Sequence, residues 1–178
     1  MCLDASVKRR RRASQQRQSR VSPLPSPRFR PKRCNPISGI PYSSLRVGVP
    51  RELYPNECRV ALTPQNVALL RKKGFAEVLI EHDAGANAQF LNEDYEKAGA
   101  TLTSRERLLA NSDIMLKVRP PLQDQEVEHI RPGSTLISFL YPKQNKQLVE
   151  ALAKRDVNTL AMDMIPRISR AQTFDALR

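Results

Sequence analysis

The sequence lacks several features on which metal sites and membrane anchors depend. Its three cysteines, Cys2, Cys34 and Cys58, lie far apart and form no C-x-x-C pair, so neither a disulfide framework nor a zinc site is predicted. The two histidines, His82 and His129, lie far apart and have no cysteine or second histidine beside them, so surface positions are predicted for both and no metal site is expected. No apolar run reaches the ~18 residues of a membrane span.

Glycine is scarce, and the cofactor motif that depends on it is missing. Gly85 follows a predicted strand in "DAGANAQF", but the chain has no G-x-G-x-x-G pattern to hold a dinucleotide pyrophosphate. A tight turn is the favoured interpretation of Gly85. This part of the chain is therefore not expected to hold a pyrophosphate in the usual way.

The positive charge is concentrated at the N-terminus. Residues 1–45 contain eleven lysines and arginines against one acid, Asp4, and so account for +10 of the formal net charge of +12. The remainder is nearly balanced, which gives no support to a nucleic-acid-binding surface on the folded part. The tail, residues 1–44, is rich in Arg, Ser, Gln and Pro and is predicted to be disordered. Such a composition fits an organelle transit peptide, although a solvated basic tail is an alternative.

Strands and helices alternate from residue 45 onward. Pro50 marks the end of the first predicted strand. Thr63 and Pro64 are typical of a helix start, and Gly74 and Gly99 are typical of helix ends. Strands are predicted at 45–50, 77–82, 113–118, 134–140 and 157–163, and helices at 63–74, 92–99, 103–112, 123–130 and 145–155. This alternation predicts one α/β domain of flavodoxin or Rossmann type at 45–165, with a mainly parallel sheet and helices on both faces.

Two places carry candidate functional side chains. Arg59 precedes the first helix and Lys117 lies inside an apolar strand, so both cations are expected near strand ends, where they would suit an anionic ligand. The second place is the end of the chain, where Arg167, Gln172 and Asp175 follow Pro166. Such a set of donors and acceptors can grip a planar amide, and a polar loop leading into a helix is the alternative.

Several segments together resemble those of a known protein family. "VGVPRE", "ECRVALTP", "DIMLKVRPP", "GSTLISFLYPKQN" and "LAMDMIPRISRAQTFDAL" resemble the N-terminal, NAD-binding part of proton-translocating NAD(P) transhydrogenases, within the alanine dehydrogenase/transhydrogenase N-terminal domain family. The resemblance covers about residues 40–177. The start at "GIPYSSLRVGVPRE" resembles the mitochondrial enzymes of animals. It implies a mitochondrial transit peptide in 1–44 and a full-length protein that lies at the inner membrane and faces the matrix. The nucleus and the cytoplasm are the alternative locations.

The resemblance implies hydride transfer from NADH to NADP⁺, driven by proton movement through a membrane domain. Arg167 with Asp175 is expected to order a loop over the NAD(H) nicotinamide, and Gln172 is expected to reach toward NADP(H). Contacts to NAD(H) are implied for the whole stretch formed by Arg167, Ile168, Ser169, Arg170, Gln172 and Asp175. Segment 166–178 is then a nicotinamide-site loop and the start of an interdomain helix. The partners implied are the NAD, NADP and membrane domains of the full enzyme and a second copy in a homodimer, with no nucleic acid and no metal.

Alanine dehydrogenases share "VGVPRE", "RVALTP" and the strand with Lys117. In that family the Arg and Lys bind the substrate carboxylate and a His acts as acid and base, but here Tyr141 stands at that position. Tyrosine side chains in general titrate near pH 10 and are poorly matched to this task at neutral pH. The sequence therefore predicts a transhydrogenase fragment, itself inactive. An alanine-dehydrogenase-like fragment and a non-enzymatic, basic-tailed α/β protein remain the alternatives.

Overall fold

The computed structural model describes residues 39–123 and 125–166, and these form a six-stranded sheet. The strands are β1 (Arg46–Val49), β2 (Glu77–Glu81), β3 (Thr101–Thr103), β4 (Ile114–Leu116), β5 (Thr135–Ser138) and β6 (Asn158–Ala161). Every neighbouring pair is parallel, in the order β3-β2-β1-β4-β5-β6. This is the order of the Rossmann fold rather than that of flavodoxin.

The described residues also contain four α-helices and four short 3₁₀ turns. The helices are α1 (Pro64–Lys72), α2 (Asn92–Lys97), α3 (Arg105–Asn111) and α4 (Lys146–Lys154), and the turns are Tyr42–Ser44, Ala86–Ala88, Val127–His129 and Met162–Met164. The predicted start and end of α1 are confirmed. The helix begins with Pro64 after Thr63, and Gly74 follows its end in a left-handed conformation.

Helices cover the sheet on both faces, as predicted. Side chains alternate along β2, so Val78 and Ile80 pack with α1 and α2, whereas Leu79 packs on the opposite side with α3 and α4. The first core contains Val67 and Tyr95; the second contains Leu108, Leu109, Met115, Leu136 and Leu152. The chain passes from one face of the sheet to the other between α2 and α3. The strands that follow are therefore added on the other side of β1, and β1 and β4 are neighbours at the centre of the sheet.

Close packing against β1 requires a glycine. A Cβ added to Gly48 would lie 1.9 Å from Ser112 Oγ and 2.8 Å from Ser112 Cβ, at the end of α3. Gly85 has a similar reason, because an added Cβ would lie 2.7 Å from the Tyr95 ring. The φ angle of Gly85 is −94°, so its role is to leave space for this ring rather than to adopt a left-handed conformation.

Three sequence predictions were wrong in detail. β3 was not predicted; residue 103 was assigned to a helix, whereas α3 begins at Arg105. The helix predicted at 123–130 is reduced to the 3₁₀ turn Val127–His129. The sequence also predicts Asn92 as the N-cap of α2, but Leu91 takes that position. The Asn92 side chain instead bonds Asp83, and the Asp94 carboxylate accepts the Leu91 N–H at 3.2 Å.

Candidate functional site

The strand order changes direction between β1 and β4: β2 and β3 lie on one side of β1, and β4, β5 and β6 lie on the other. Ligands of open α/β sheets bind at the carboxyl ends of the strands at such a switch point. Here this place is formed by the loop after β1, residues 50–63, and the segment after β4, residues 117–123. The structure brings the two predicted cations together there. Arg59 and Lys117 line one cavity of about 340 Å³, with Leu116, Ile137 and Met162 among its apolar walls.

Arg59 already has a carboxylate partner within the chain. Its guanidinium donates from Nε and Nη2 to the two oxygens of Glu57, both at 2.7 Å, and Arg119 Nε donates to the same carboxylate at 2.7 Å. Arg119 also stacks over the Tyr54 ring at 5.3 Å. The hydrogen bond from Arg59, together with that from Arg119, lowers the pKa of Glu57 to about 2, and the same bond raises the pKa of Arg59. Two arginines are therefore held by one buried acid.

Lys117 is buried in an ion pair. Its Nζ donates to the two Glu126 oxygens at 2.8 and 3.0 Å and lies 3.8 Å from Glu52. The Lys117 and Glu126 side chains are 2% and 0% exposed, so Lys117 neither extends to solvent nor stands free to face a ligand. Burial raises the pKa of Glu52, while Lys117 acts in the opposite direction. Arg105 Nη1 completes this cluster at 3.8 Å from Glu126.

Carboxylates of the chain also occupy backbone donors at three strand ends. After β1, the Arg51 N–H donates to Glu81 at 2.8 Å; after β4, the Val118 N–H donates to Glu52 at 2.6 Å. After β5, the N–H groups of Leu140 and Tyr141 both donate to Asp163. In nucleotide-binding sheets, backbone donors at these ends are available to phosphate. Here the chain supplies the anions itself.

The loop after β1 does not fit a pyrophosphate. Residues 50–63 contain no glycine, and they carry Glu52 and Glu57 at the edge where phosphates would approach. A phosphate would meet two carboxylates there, and it would find no glycine turn whose backbone could approach it closely. The inference drawn from the missing glycine motif stays a prediction, and the positions of Glu52 and Glu57 accord with it.

A cavity of about 750 Å³ lies beside this cluster, between the ends of β4 and β5. Arg119, Lys143 and Lys146 contribute positive charge to its wall, and Tyr54 and Tyr141 contribute rings. Tyr141, predicted from the sequence to stand where alanine dehydrogenases have their acid/base histidine, lies in this wall at the carboxyl edge of the sheet. Its φ angle of 48° places it in the left-handed region.

The predicted nicotinamide-site residues, Arg167, Ile168, Ser169, Arg170, Gln172 and Asp175, lie outside the described residues. The described chain ends at Pro166, after the turn Met162–Met164 on the carboxyl edge. Both histidines are exposed, as predicted. Within 39–123 and 125–166, no group of three metal-ligating side chains is present, and no helix has the length and hydrophobicity of a membrane span.

Sequence reasoning missed the acids of this edge: Glu52, Glu57, Glu126 and Asp163. Glu57 carried a usable signal, since it stands two residues before Arg59. A lysine in an apolar strand also requires a partner, but the sequence does not indicate which of several nearby acids it meets. Glu126 lies nine residues away in a segment expected to be helical.

Comparison with known proteins agrees with this architecture. Residues 48–178 match the family model described as "Alanine dehydrogenase/PNT, N-terminal domain". The chain belongs to this family. The alanine dehydrogenase/PNT domain here is 47% identical over 134 residues to NAD(P) transhydrogenase subunit alpha of Haemophilus influenzae, covering 75% of this chain and 25% of that protein.

Two solved structures resemble the alanine dehydrogenase/PNT domain. The crystal structure of transhydrogenase from Sinorhizobium meliloti matches with a TM-score of 0.68 and 36% identity, over 72% of this chain and 38% of the other. An L-alanine dehydrogenase matches with a TM-score of 0.63 and 30% identity, over 66% and 32%. The chain thus spans about a quarter of the length of the Haemophilus relative and about a third of the two structures.

Proposed function

We propose that this chain is the N-terminal part of a proton-translocating NAD(P) transhydrogenase and forms one wall of its nicotinamide site. The observation that carries the proposal is the 47% identity to a transhydrogenase alpha subunit over 134 residues. Identity to the L-alanine dehydrogenase structure is 30%. The segment 160–177, with its "PRISRAQ" sequence, adds to this preference.

In the proposed reaction NADH supplies a hydride to NADP⁺, and proton movement across a membrane is coupled to the transfer. This step requires two rings held in contact, and it needs no acid or base from the chain. Arg167 and Asp175 would order the loop over the NAD(H) ring, with Ile168, Ser169 and Arg170 in the same contact stretch. Gln172 would face the NADP(H) side. The NADP(H) domain, the membrane domain and the second subunit of a dimer are proposed partners.

The described residues bring no pyrophosphate cradle to this site. Glu52 and Glu57 take the edge where a phosphate would lie, so we assign the main nucleotide contacts to another domain. The 178-residue chain alone is therefore proposed to be inactive and to bind NADH very weakly. We further propose that the full protein lies at the mitochondrial inner membrane.

The alternative is an alanine-dehydrogenase-like activity. Arg59 and Lys117 do share a cavity, as a carboxylate substrate would need. Against this alternative, Tyr141 stands where that chemistry uses a histidine, and both cations already hold carboxylates of the chain. The two functions differ in their second substrate, which is NADP⁺ in one and an amino or keto acid in the other.

A chimera tests the proposal. Residues 45–178 replace the matching quarter of the Haemophilus alpha subunit, and hydride transfer from NADH to an NADP⁺ analogue is measured in membranes. We expect transfer and no alanine-dependent reduction of NAD⁺. The reverse pattern would establish the alternative, and a stable chimera with neither activity would refute the proposal.

Within an active chimera, Arg167→Ala should lower kcat more than it raises the KM for NADH. A contact that matters for the reacting geometry appears in kcat, whereas most binding contacts are assigned to another domain. Arg107→Ala, on the exposed side of α3, is the matched control and should change neither constant. A higher KM with unchanged kcat would make Arg167 an ordinary binding residue.

A further inference from the structure

We propose that one sheet face carries a docking surface for an amphipathic helix from the part of the full-length transhydrogenase subunit that this chain does not contain. The surface, the open patch, consists of Leu116, Ile137, Leu160 and Met162. The inference rests on the proposed function for the source of the helix. The patch itself is formed by described residues alone.

Leu160 ends a row of apolar side chains that crosses the sheet in register. The row consists of Ile80, Val49, Leu116, Ile137 and Leu160, in the strand order β2-β1-β4-β5-β6. Ile80 and Val49 are 0% exposed, Leu116 and Ile137 are partly exposed, and Leu160 is 55% exposed. Exposure therefore increases from β1 toward the β6 edge of the sheet.

The positions of the helices account for this gradient. α1 and α2 pack on the half of this face formed by β1, β2 and β3, where Val67 and Tyr95 belong to the same core as Ile80. The other two described helices, α3 and α4, lie on the opposite face, where Leu136 is 0% exposed. The described residues therefore place no helix over β5 and β6 on the face of Leu160.

A parallel sheet that is open on half of one face requires a further layer. Parallel sheets occur almost only with both faces covered, because their strands are apolar on both sides. The three strands β4, β5 and β6 span about 10 Å, close to the diameter of one α-helix. One helix that lies along these strands is therefore enough to bury the open patch. Such a helix must carry an apolar stripe with the spacing i, i+3, i+4 and i+7.

The rim of the open patch adds a charge preference. Arg59 lies at the carboxyl edge, lines the same cavity of about 340 Å³ as three members of the patch, and has a side chain that is 51% exposed. Arg59 and Arg119 share the one carboxylate of Glu57. Nε and Nη2 of Arg59 donate to Glu57, and within the described residues no hydrogen bond uses its Nη1. A carboxylate at one end of the docked helix therefore fits beside Arg59.

The size of the open patch favours a helix of the same polypeptide over a second copy of this chain. With three strands and about four residues along each, the patch covers on the order of 100 Å². Stable association of separate proteins buries about 800 Å² on each partner. A helix of the same polypeptide does not need such an area, because its effective concentration is high. The Haemophilus subunit has room for this helix, since the chain covers 25% of that protein.

The first test measures how fast a thiol at position 160 reacts. Leu160→Cys is introduced into the 178-residue chain and into the chimera, and labelling by a maleimide is followed by peptide-resolved mass spectrometry, which separates this thiol from the native cysteines. We expect fast labelling in the chain and labelling at least about tenfold slower in the chimera, where the helix must first detach. Leu69→Cys, on the exposed side of α1, is the control and should react equally in both proteins.

Equal rates at position 160 would overturn the proposal, because the face would then be open in the larger protein as well. Slow labelling in the 178-residue chain would also overturn it, since the chain's own residues or a second copy would then cover the patch. An inactive chimera in which Leu160→Cys is protected would refute the proposed function and still support the docking surface.

The second test identifies the occupant. A photoreactive benzophenone amino acid replaces Leu160 in the chimera, and the crosslinked peptides are identified by mass spectrometry. We expect crosslinks to one segment outside the replaced quarter, at residues three or four apart in the sequence. Crosslinks within the replaced quarter, or between two copies of it, would overturn the assignment.

The role of Arg59 is tested in the same chimera. Arg59→Gln removes the charge that would hold the carboxylate of the helix, so it should increase the labelling rate of Leu160→Cys. Arg107→Gln, on the exposed side of α3, is the control and should leave the rate unchanged. If the two substitutions have the same effect, no carboxylate of the helix pairs with Arg59.

Discussion

Glu126→Gln removes one charge of the most deeply buried ion pair described here, and it should strongly destabilise the domain. The amide can still accept the Leu122 N–H, which now bonds the carboxylate at 2.8 Å, so the change is mainly one of charge. Lys117 would keep only Glu52, at 3.8 Å, in a site where its side chain is 2% exposed. Breaking such a pair typically costs about 3–5 kcal/mol. That is a large part of the roughly 5–15 kcal/mol that stabilises a domain.

The reverse single change, Lys117→Met, should cost a similar amount, because it leaves Glu52 and Glu126 buried without their cation. The remaining neighbour, Arg105, is 3.8 Å from Glu126 and would offset part of the loss. The double variant removes both charges of the pair. Glu52 remains buried without its cation in this variant, held only by the Val118 and Arg119 N–H groups, so we expect a loss clearly smaller than the sum of the two single losses but not a return to wild-type stability.

Equilibrium unfolding in urea, followed by far-UV circular dichroism at pH 7, measures these differences. Glu93→Gln is the control, because the Glu93–Lys97 pair has a separation of 3.9 Å but its side chains are 77% and 74% exposed. Surface pairs of this kind contribute about 0–1 kcal/mol. If Glu126→Gln destabilises the protein no more than Glu93→Gln does, the burial argument for this pair is wrong.

Three further predictions concern other parts of the chain. The pKa of Glu57 in the folded protein, about 2, lies below the usual glutamate value of 4.5, so its stabilising contribution is full above pH 4.5 and is lost as the pH falls toward 2. Over this pH range the urea midpoint of Glu57→Gln should therefore rise less with pH than that of the wild-type protein. Parallel plots of midpoint against pH for the two proteins would contradict this. Gly48→Ala should destabilise by about 1–3 kcal/mol through overlap with Ser112, and Ser112→Gly should relieve part of that loss in the double variant; an additive pair would exclude the steric cause. Residues 1–44, fused to a fluorescent reporter, should direct it to mitochondria, whereas nuclear or diffuse signal would favour the basic-tail alternatives.

The sequence was sufficient for the layered architecture because that information is local. The apolar runs of β1, β2, β4 and β5, and signals such as Pro64 and Gly74, lie within short windows. β3 has three residues, of which Thr101 is exposed, so it carries too little periodicity to be separated from the start of α3. Its position depends on pairing with Leu79, Ile80 and Glu81, which is a tertiary contact.

The candidate site was less predictable for the same physical reason. Arg59 and Lys117 stood out by residue type, and the strand-end argument correctly brought them to one edge. Their partners are set by contacts across loops, and no periodicity links Lys117 with Glu126 or Leu140 with Asp163. The sequence indicated that these cations would suit an anionic ligand but left their roles open. The structure instead shows acids of the chain bound to Arg59 and Lys117.

The carboxylates that bind the backbone N–H groups after β1, β4 and β5 compete with any anion in solution for these donors. Glu81, Glu52 and Asp163 are tethered beside the backbone donors that they occupy. A tethered group competes at an effective concentration of order millimolar or higher, without the entropy that a free ion loses on binding. Free phosphate at about millimolar concentration then gains little against them. Exchange of a chloride buffer for a phosphate buffer of equal ionic strength should consequently leave the melting temperature of this domain unchanged.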